Sequence, residues 1–277
     1  MTGRACVIGW PIKHSRSPLI HGHWLEKHEI KGEYTKVPVE PETLGKFVSR
    51  IRKGEFAGCN VTVPHKEMIL EHTDIIHDDA KNIGAANTLW MEGNALHATN
   101  TDMYGFATNL DENAPGWDHQ AKAALVLGAG GAARAVLWAL IDRGFKTIHL
   151  VNRTRARADD LAAKFGETVR VGDWDTCNAQ CANVELIINT TALGMTGSPP
   201  LEIDLEMAGS KTVVTDLVYA PLVTPLLEQA ADRGFETVDG LGMLLHQAVP
   251  GFEKWFGVRP KVTAELRQLI VNDLEQP

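Results

Sequence analysis

Leu125-Val-Leu-Gly128-Ala-Gly130-Gly-Ala-Ala133 joins an apolar, strand-like run to an apolar helical pattern through a glycine-rich turn. This pattern, placed between a strand and a helix, is the fingerprint of a dinucleotide-binding βαβ unit. Gly128 permits the tight turn, and Gly130 lets backbone amides approach a pyrophosphate at the helix N-terminus. Ala133 is small enough for close packing of the helix on the strand. We therefore expect this turn to bind a dinucleotide rather than to be an ordinary strand–helix connection.

The segment after the next strand predicts which dinucleotide is bound. An NAD-binding unit usually places Asp or Glu about twenty residues after the fingerprint, where it binds the ribose 2′-hydroxyl. Here the chain reads Val151-Asn-Arg153-Thr-Arg155-Ala-Arg157, which has no carboxylate and three guanidinium groups. Guanidinium groups match phosphate oxygens, whereas a basic first helical turn that is merely solvated opposes the helix dipole. The sequence therefore predicts NADP.

Apolar runs alternate with helical patterns from the start of the chain, which predicts an α/β fold with parallel strands. A polar stretch, 111–120, resembles a linker, and a second unit begins at Ala123. The predicted strands are Ala5–Ile8, Glu33–Val37, Gly58–Val63, Ala86–Trp90, Ala123–Leu127, Thr147–Val151, Leu186–Asn189, Thr212–Leu217 and Glu236–Val238. The predicted helices are Pro18–His28, Pro41–Lys53, His65–Glu71, Gly131–Arg143, Arg155–Phe165, Leu241–Phe256 and Val262–Leu274.

The composition is that of an ordinary globular protein of 277 residues, enough for one large or two ordinary domains. A formal net charge of −8 argues against nonspecific binding to nucleic acid or to an anionic membrane surface. No segment approaches the roughly eighteen apolar residues of a membrane span. Gly9 and Pro11 interrupt the first apolar run too early for a signal peptide. The four cysteines and eleven histidines show no metal-ligand spacing, so we expect a cytoplasmic enzyme without a metal.

Two further motifs point to acid–base chemistry. Asn60-Val-Thr-Val-Pro64-His-Lys66 places a lysine just after a short strand, where Pro64 is expected to begin a helix. A cation is disfavoured at that end of a helix, so Lys66 is either well solvated or held for a purpose. Asn100-Thr-Asp102 follows the alternating run Ala95–Thr99 and offers a carboxylate.

Together these motifs closely resemble the shikimate dehydrogenase family, whose hallmarks are Asn-Val-Thr-x-Pro-x-Lys and Asn-Thr-Asp. The resemblance spans nearly the whole chain and implies NADPH-dependent reduction of 3-dehydroshikimate to shikimate. It implies Lys66 as the acid–base group, supported by Asp102. It also implies a substrate domain over residues 1–101 and a Rossmann-type, doubly wound NADP-binding domain over residues 102–239. The C-terminal helices, residues 240–277, would return to the first domain.

The resemblance also carries over the binding residues. The expected substrate contacts are Ser15 and Ser17 for the carboxylate, together with Thr62, Lys66, Asn87, Asp102, Tyr219 and Gln247. From the residues alone, Ser17 and Pro18 predict only a helix cap, and a role for Thr62 or Gln247 is not distinguished from an ordinary strand or surface position. The expected cofactor contacts are Asp78, Gly128, Ala129, Gly130, Gly131, Ala132, Asn152, Arg153, Thr154, Arg157, Leu217, Gly240 and Met243.

Two departures and two alternatives accompany the resemblance. Ala192 stands where the family commonly has serine, and the turn before Asn100 lacks the usual glycine, so no role is assigned to Ala192. One alternative is a quinate/shikimate dehydrogenase that uses NAD, although no acid follows the second nucleotide-binding strand. The other is a nucleotide-sensing protein that has lost the reaction, which would have no need of an acid–base pair. Relatives include monomers and dimers, so a monomer or a homodimer is expected.

Overall fold

The computed structural model describes residues 3–275, in which strands and helices alternate along most of the chain. The strands are β1 (Gly3–Gly9), β2 (Gly32–Pro38), β3 (Gly58–Val61), β4 (Ile75–Ile76), β5 (Thr88–Glu92), β6 (Ala95–Thr99), β7 (Ala123–Leu127), β8 (Thr147–Val151), β9 (Val169–Gly172), β10 (Leu186–Asn189), β11 (Val213–Asp216) and β12 (Glu236–Val238). The α-helices are α1 (Ser17–Lys27), α2 (Leu44–Arg52), α3 (Asp78–Ile83), α4 (Asp102–Asn113), α5 (Gly131–Asp142), α6 (Arg155–Phe165), α7 (Cys177–Gln180), α8 (Pro225–Asp232), α9 (Leu241–His246), α10 (Ala248–Phe256) and α11 (Ala264–Leu274). Short 3₁₀ helices cover Pro41–Thr43, Met68–His72, Trp174–Thr176 and Cys181–Asn183.

The chain divides into two compact units. The first unit comprises the residues up to Asp102 together with those from Leu245 onward, and the second unit is Met103–Leu244. The predicted domain limits, after residues 101 and 239, stay a prediction. No helix within residues 3–275 is long and apolar enough to cross a membrane.

The first unit is built on a six-stranded sheet with the strand order β2-β1-β3-β5-β6-β4. β1 is parallel to β2 and β3, whereas β5 is antiparallel to β3 and β6. β5 and β6 are antiparallel because a tight turn joins them, in which Gly93 has a φ of +59°. Glycine adopts that conformation without the steric cost that a side chain would meet.

The helices α10 and α11 pack in the first unit, as predicted, whereas most of α9 belongs to the second unit. The Trp255 indole on α10 donates to the Leu89 carbonyl over 2.8 Å, and the Trp24 indole on α1 donates to the Lys261 carbonyl over 3.1 Å. Arg16 forms an ion pair of 2.8 Å with Asp273 on α11. Residues separated by more than 160 positions thus share one core, and truncating the chain before Leu245 would expose it.

The second unit contains a parallel six-stranded sheet with the order β12-β11-β10-β7-β8-β9. Chain order reverses between β7 and β10, which is the switch point where such sheets bind ligands at their carboxyl ends. All five residues of β7 are buried, because alternate residues face opposite apolar layers. Ala124 and Val126 pack on one side, and Leu125 and Leu127 pack on the other. The predicted α/β class with a doubly wound nucleotide sheet is confirmed.

The predicted helix over His65–Glu71 is wrong. Residues 63–67 form a turn, and only Met68–His72 is helical, as a 3₁₀ helix. The Lys66 carbonyl accepts the Ala86 amide over 2.8 Å, and the His65 ring donates to the Val39 carbonyl over 2.7 Å. The Ala86 amide thus occupies the Lys66 carbonyl, which an α-helix would have used for its own backbone bond, whereas the His65 bond involves only the side chain.

The predicted single helix over Leu241–Phe256 is two helices that meet at Gln247. Pro250 accounts for the break, because it has no N–H to donate to the carbonyl of His246 and its ring crowds that group. The sequence also missed α3 and β9, which are short elements without a clear apolar period.

A close approach of three segments in the first unit requires Gly58 to remain glycine. A Cβ at this position would lie 2.0 Å from the Leu89 carbonyl oxygen and 2.3 Å from the Trp255 indole nitrogen. We expect Gly58→Ala to lower the free energy of unfolding by about 3 kcal/mol, since overpacking a rigid site displaces backbone. Urea denaturation followed by tryptophan fluorescence measures the change.

Gly22→Ala is the matched control, because a Cβ at Gly22 on α1 meets no described atom within 4 Å. It should leave stability unchanged or raise it by up to about 1 kcal/mol, as alanine favours helix. Equal losses in the two variants would contradict the close approach at Gly58.

Candidate functional site

A lysine and an aspartate from separate parts of the first unit form a close ion pair. Lys66 lies in the turn after β3, and Asp102 is the first residue of α4. Lys66 Nζ donates to Asp102 Oδ2 over 2.5 Å, and the two side chains are only 22% and 12% exposed. A charge-assisted bond in a sheltered place is stronger than the same pair on an open surface. The structure therefore brings together the two residues that the sequence predicted as the acid–base pair.

The backbone at Asp102 is fixed by its neighbour in the motif. The Asn100 side-chain oxygen accepts the Asp102 amide over 3.0 Å, and the Asn100 amide group donates to the Ala85 carbonyl over 2.9 Å. Asn100 thereby satisfies an amide at the start of α4 that has no partner within the helix. Its second bond ties that helix start to the segment before β5.

Asn87 holds the other oxygen of the same carboxylate. Its Nδ2 donates to Asp102 Oδ1 over 2.8 Å, and its Oδ1 accepts the Thr101 amide over 2.8 Å and the Thr88 hydroxyl over 2.9 Å. Because these donors face Oδ1, the amide cannot turn over without losing them. Gln247 lies at the edge of this group, with its Oε1 3.4 Å from Asn87 Nδ2. Two predicted substrate residues, Lys66 and Asn87, therefore meet at the carboxylate of a third, Asp102.

Four buried polar residues that sequence reasoning missed support this arrangement. The Tyr34 hydroxyl donates to Asn60 Oδ1 over 2.6 Å, and Asn60 Nδ2 donates to the Thr88 hydroxyl over 3.2 Å. The Thr101 hydroxyl donates to the Gln247 carbonyl over 2.7 Å. Burial raises the pKa of Tyr34 well above its usual value, so this phenol stays protonated and donates. Asn60, Thr88 and Thr101 all lie inside motifs in which other residues were given the functional role. The available signal was a polar residue within a buried strand for Asn60 and Thr88, and next to the end of one for Thr101.

The two predicted serines lie side by side at the start of α1. Ser15 Oγ and Ser17 Oγ are 3.3 Å apart, and the Ser17 amide donates to Ser15 Oγ over 3.3 Å. The predicted cap is off by one residue, because Arg16 is the N-cap and Ser17 is the first helical residue. Thr62 follows β3, where its amide donates to the Ile8 carbonyl over 2.9 Å.

The fingerprint turn of the second unit has the space that a pyrophosphate needs. Gly128 has a φ of +108°, and a Cβ there would lie 2.7 Å from the Thr190 hydroxyl oxygen. At Gly130 and Gly131, by contrast, a Cβ would meet no described atom within 4 Å. These glycines are the N-cap and first residue of α5, with Ala132 next in line, so the space beside this helix start, whose first amides have no partner within the helix, is unfilled.

Asn152 connects that turn to the arginine segment. Its Oδ1 accepts the Ala129 amide over 3.1 Å, and its Nδ2 donates to the Thr154 carbonyl over 2.8 Å. Arg155 is paired elsewhere, with Asp173 and, over 3.8 Å, with Asp159. The sequence therefore over-counted the guanidinium groups available for a phosphate. Within the described part of the chain, the two predicted residues Arg153 and Arg157 have no ion-pair partner.

The remaining predicted cofactor residues fall into two groups. Leu217 and Gly240 adjoin in the second unit, since a Cβ at Gly240 would lie 2.3 Å from the Leu217 carbonyl oxygen. Met243 packs against the core of that unit. Tyr219, a predicted substrate residue, lies in the loop after β11 of the same unit. Asp78 begins α3 and belongs to the first unit.

Residues 3–275 contain no group of three or more His, Cys, Asp or Glu that could hold a metal ion.

Three family models match the chain. The shikimate dehydrogenase substrate binding domain matches residues 7–89, and the shikimate / quinate 5-dehydrogenase model matches residues 111–217. The shikimate 5′-dehydrogenase C-terminal domain matches residues 240–269. Together these matches account for most of the chain.

Individual proteins are similar over nearly the full length. A Nitrobacter winogradskyi protein named shikimate dehydrogenase (NADP(+)) is 55% identical over 274 residues, covering 99% of this chain and 98% of its own. The structure of a Thermus thermophilus shikimate 5-dehydrogenase in complex with NADP(H) and shikimate matches with a TM-score of 0.85 at 32% identity, covering 99% of this chain and 100% of that one. Corynebacterium glutamicum quinate dehydrogenase in complex with NAD matches with a TM-score of 0.90 at 26% identity, covering 98% and 99%.

Arg155 has ion-pair partners and Arg153 and Arg157 have none among the described residues, and this difference leads to a prediction about nucleotide affinity. If Arg153 and Arg157 bind the 2′-phosphate as the sequence predicts, Arg153→Ala and Arg157→Ala should each remove one charge-assisted bond and weaken NADP binding by about tenfold. Affinity for NAD, which lacks that phosphate, should hardly change. Isothermal titration with each nucleotide measures both constants.

Arg155→Ala is the matched control, since its guanidinium is already paired with Asp173. It should change NADP affinity far less than the other two variants. Equal losses of NADP and NAD affinity on substituting Arg153 would contradict the assignment of the phosphate to that residue.

Proposed function

The chain belongs to the shikimate dehydrogenase family, and from that premise we propose that it catalyses the reversible NADPH-dependent reduction of 3-dehydroshikimate to shikimate. The reaction is a step of the shikimate pathway to chorismate and the aromatic amino acids. The enzyme is an NADP-dependent oxidoreductase. The observation that carries the mechanism is the contact of Lys66 and Asn87 with the two oxygens of Asp102.

In the proposed mechanism, Lys66 acts on the substrate oxygen. When bound, NADPH supplies the hydride that reduces the C3 carbonyl. The Lys66 ammonium stabilises the negative charge that develops on the carbonyl oxygen and then donates a proton to it. In the reverse direction the neutral amine accepts that proton. A lysine held by a carboxylate is well suited to this work, because its position is fixed before the substrate arrives.

Asp102 orients the lysine and shares its hydrogen bonds with the substrate hydroxyls. The Asn87 amide and the Asn100 cap fix the carboxylate and its backbone, which keeps the lysine aimed in one direction. The proposal assigns the substrate carboxylate to Ser15 and Ser17. The ring hydroxyls are assigned to the remaining predicted substrate residues: Thr62, Asn87, Tyr219 and Gln247.

The residues of the second unit fit NADP. Its pyrophosphate is assigned to residues 128–132, where Gly130 and Gly131 leave the helix start open. The 2′-phosphate is assigned to Arg153 and Arg157, with Asn152 and Thr154 shaping the turn. The nicotinamide end is assigned to Leu217, Gly240 and Met243, with Asp78 as a further contact. The proposal thus gives substrate binding to residues 1–101, NADP binding to residues 102–239 and support of the first domain to residues 240–277.

One specific observation keeps a second candidate open to test. A similar structure is a quinate dehydrogenase in complex with NAD, so quinate turnover with NAD is the alternative. The lack of an acid after β8 and the presence of Arg153 and Arg157 favour NADP. A pure nucleotide sensor would not need the Lys66–Asp102 pair. The proposal further includes a cytoplasmic location and a monomer or homodimer, in keeping with the acidic, ordinary globular composition.

The function is tested by crossing shikimate and quinate with NADP and NAD in one assay of nucleotide reduction. We expect kcat/KM to be highest for shikimate with NADP, because the 2′-phosphate gains charge-assisted bonds that NAD cannot make. Faster turnover of quinate with NAD would establish the alternative. Absence of turnover in all four combinations, with nucleotide binding intact, would favour the sensor.

The role of Lys66 is tested with Lys66→Met, which keeps the length of the side chain and removes its charge and proton. We expect kcat to fall by about 10²–10⁴-fold, the usual contribution of a general acid–base group, with little change in KM for shikimate. Lys53→Met, at an exposed lysine of the same unit, is the control and should leave kcat unchanged. Weakened substrate binding with unchanged turnover would show that Lys66 only binds.

A further inference from the structure

Asp216, at the end of β11, is a fully buried carboxylate held only by neutral groups. Its Oδ1 accepts Asn189 Nδ2 over 2.9 Å and the Val218 amide over 2.9 Å, and its Oδ2 accepts the Thr224 hydroxyl over 2.7 Å. No lysine or arginine pairs with it in the described part of the chain. Burial raises the pKa of Asp216, and these three donors oppose that rise. Such a group is costly to bury, so its position calls for a reason.

Two of the three donors come from the two ends of one loop. Val218 lies just after β11, and Thr224 is the N-cap of α8, where its hydroxyl also accepts the Leu227 amide over 3.4 Å. The carboxylate therefore closes the base of the 217–223 loop. Leu217 and Tyr219, proposed above as cofactor and substrate contacts, both lie in this loop.

Asn189 connects the hydrogen-bonded group around Asp216 to the neighbouring loop, residues 190–194. Asn189 is the register partner of Asp216, so the two side chains meet at the carboxyl ends of adjacent parallel strands. Its Oδ1 accepts the Thr191 amide over 2.9 Å and the Thr191 hydroxyl over 2.7 Å, and its Nδ2 also donates to the Leu193 carbonyl over 3.0 Å. In this loop the Thr190 hydroxyl donates to the Leu127 carbonyl at the fingerprint turn over 2.9 Å.

We propose that Asp216 and Thr224 are positioning residues that hold the 217–223 loop, and with it Tyr219, in the conformation that receives the substrate. The proposal rests on the proposed function for the assignment of Tyr219. A buried carboxylate suits this role because it accepts several bonds from separate segments and leaves few alternative arrangements. Thr224 is the residue whose substitution should matter most, because among the described residues its hydroxyl is the one donor to Asp216 Oδ2. Its loss leaves a buried carboxylate oxygen without a partner, and the loop must shift to let water reach it.

The test compares Thr224→Val, which loses the hydroxyl at nearly constant shape, with Thr224→Ser, which keeps the donor. We expect Thr224→Val to raise KM for shikimate between about tenfold and a hundredfold, the scale of a small misplacement at a reaction site. Thr224→Ser should stay near the wild-type value. Loss of stability alone lowers the amount of active enzyme but does not change KM, so KM separates positioning from folding.

Thr212→Val is the matched control. Thr212 is also buried and donates its hydroxyl to the Val184 carbonyl over 2.9 Å, but it lies before the amino end of β11. It should lower the melting temperature without raising KM. An unchanged KM in Thr224→Val, or an equal rise in Thr212→Val, would overturn the proposal.

Amide hydrogen exchange gives a readout that does not need the reaction. In Thr224→Val, residues 217–223 and 190–194 should exchange faster together, whereas Thr212→Val should leave both loops unchanged. Unchanged exchange of these loops in Thr224→Val would overturn the proposal that the hydrogen bonds of Asp216 hold them. If the wild-type protein turned over no shikimate, the proposed function would fail, while exchange would still decide whether the carboxylate holds the loops.

Discussion

The Asp102 carboxylate has both oxygens occupied, one by the Lys66 ammonium and the other by the Asn87 amide. A sheltered charge of this kind is stable only when its partners stay in place. The partners come from the turn after β3 and the segment before β5, so the sheet order of the first unit is what brings them to Asp102. The orientation of the lysine is therefore a property of the whole sheet and not of the lysine motif alone.

The second unit handles a buried carboxylate in a different way. Asp216 is surrounded by an amide group, a backbone N–H and a hydroxyl, none of which can supply or take up a full charge. Asp102, by contrast, faces the Lys66 ammonium, the group proposed to exchange a proton with the substrate. The two proposals thus give the same type of side chain a chemical role in one unit and a positioning role in the other, and its partner is what makes the difference.

Much of the second unit could be predicted from the sequence, because its parallel strands are buried on both faces and read as short apolar runs. The limits of β7, β8, β10 and β12 agree with the prediction. The fingerprint turn was readable for a similar reason, since its glycines are required by backbone geometry within a few residues. The helix predicted over His65–Glu71 failed because a distant segment, through the Ala86 amide, occupies the Lys66 carbonyl that the helix would need.

Residue spacing along the chain was enough to indicate the α/β class, the nucleotide-binding turn and the preference for a 2′-phosphate, because each depends on neighbours close in sequence. The choice of partners could not be read in this way. Arg155 binds Asp173 rather than remaining available for a phosphate, and Thr88, Thr101 and Asn60 gather around Asn87. Most of these pairings join separate segments of the chain, and hydrogen bonds form according to distance in space, which only the folded sheets establish.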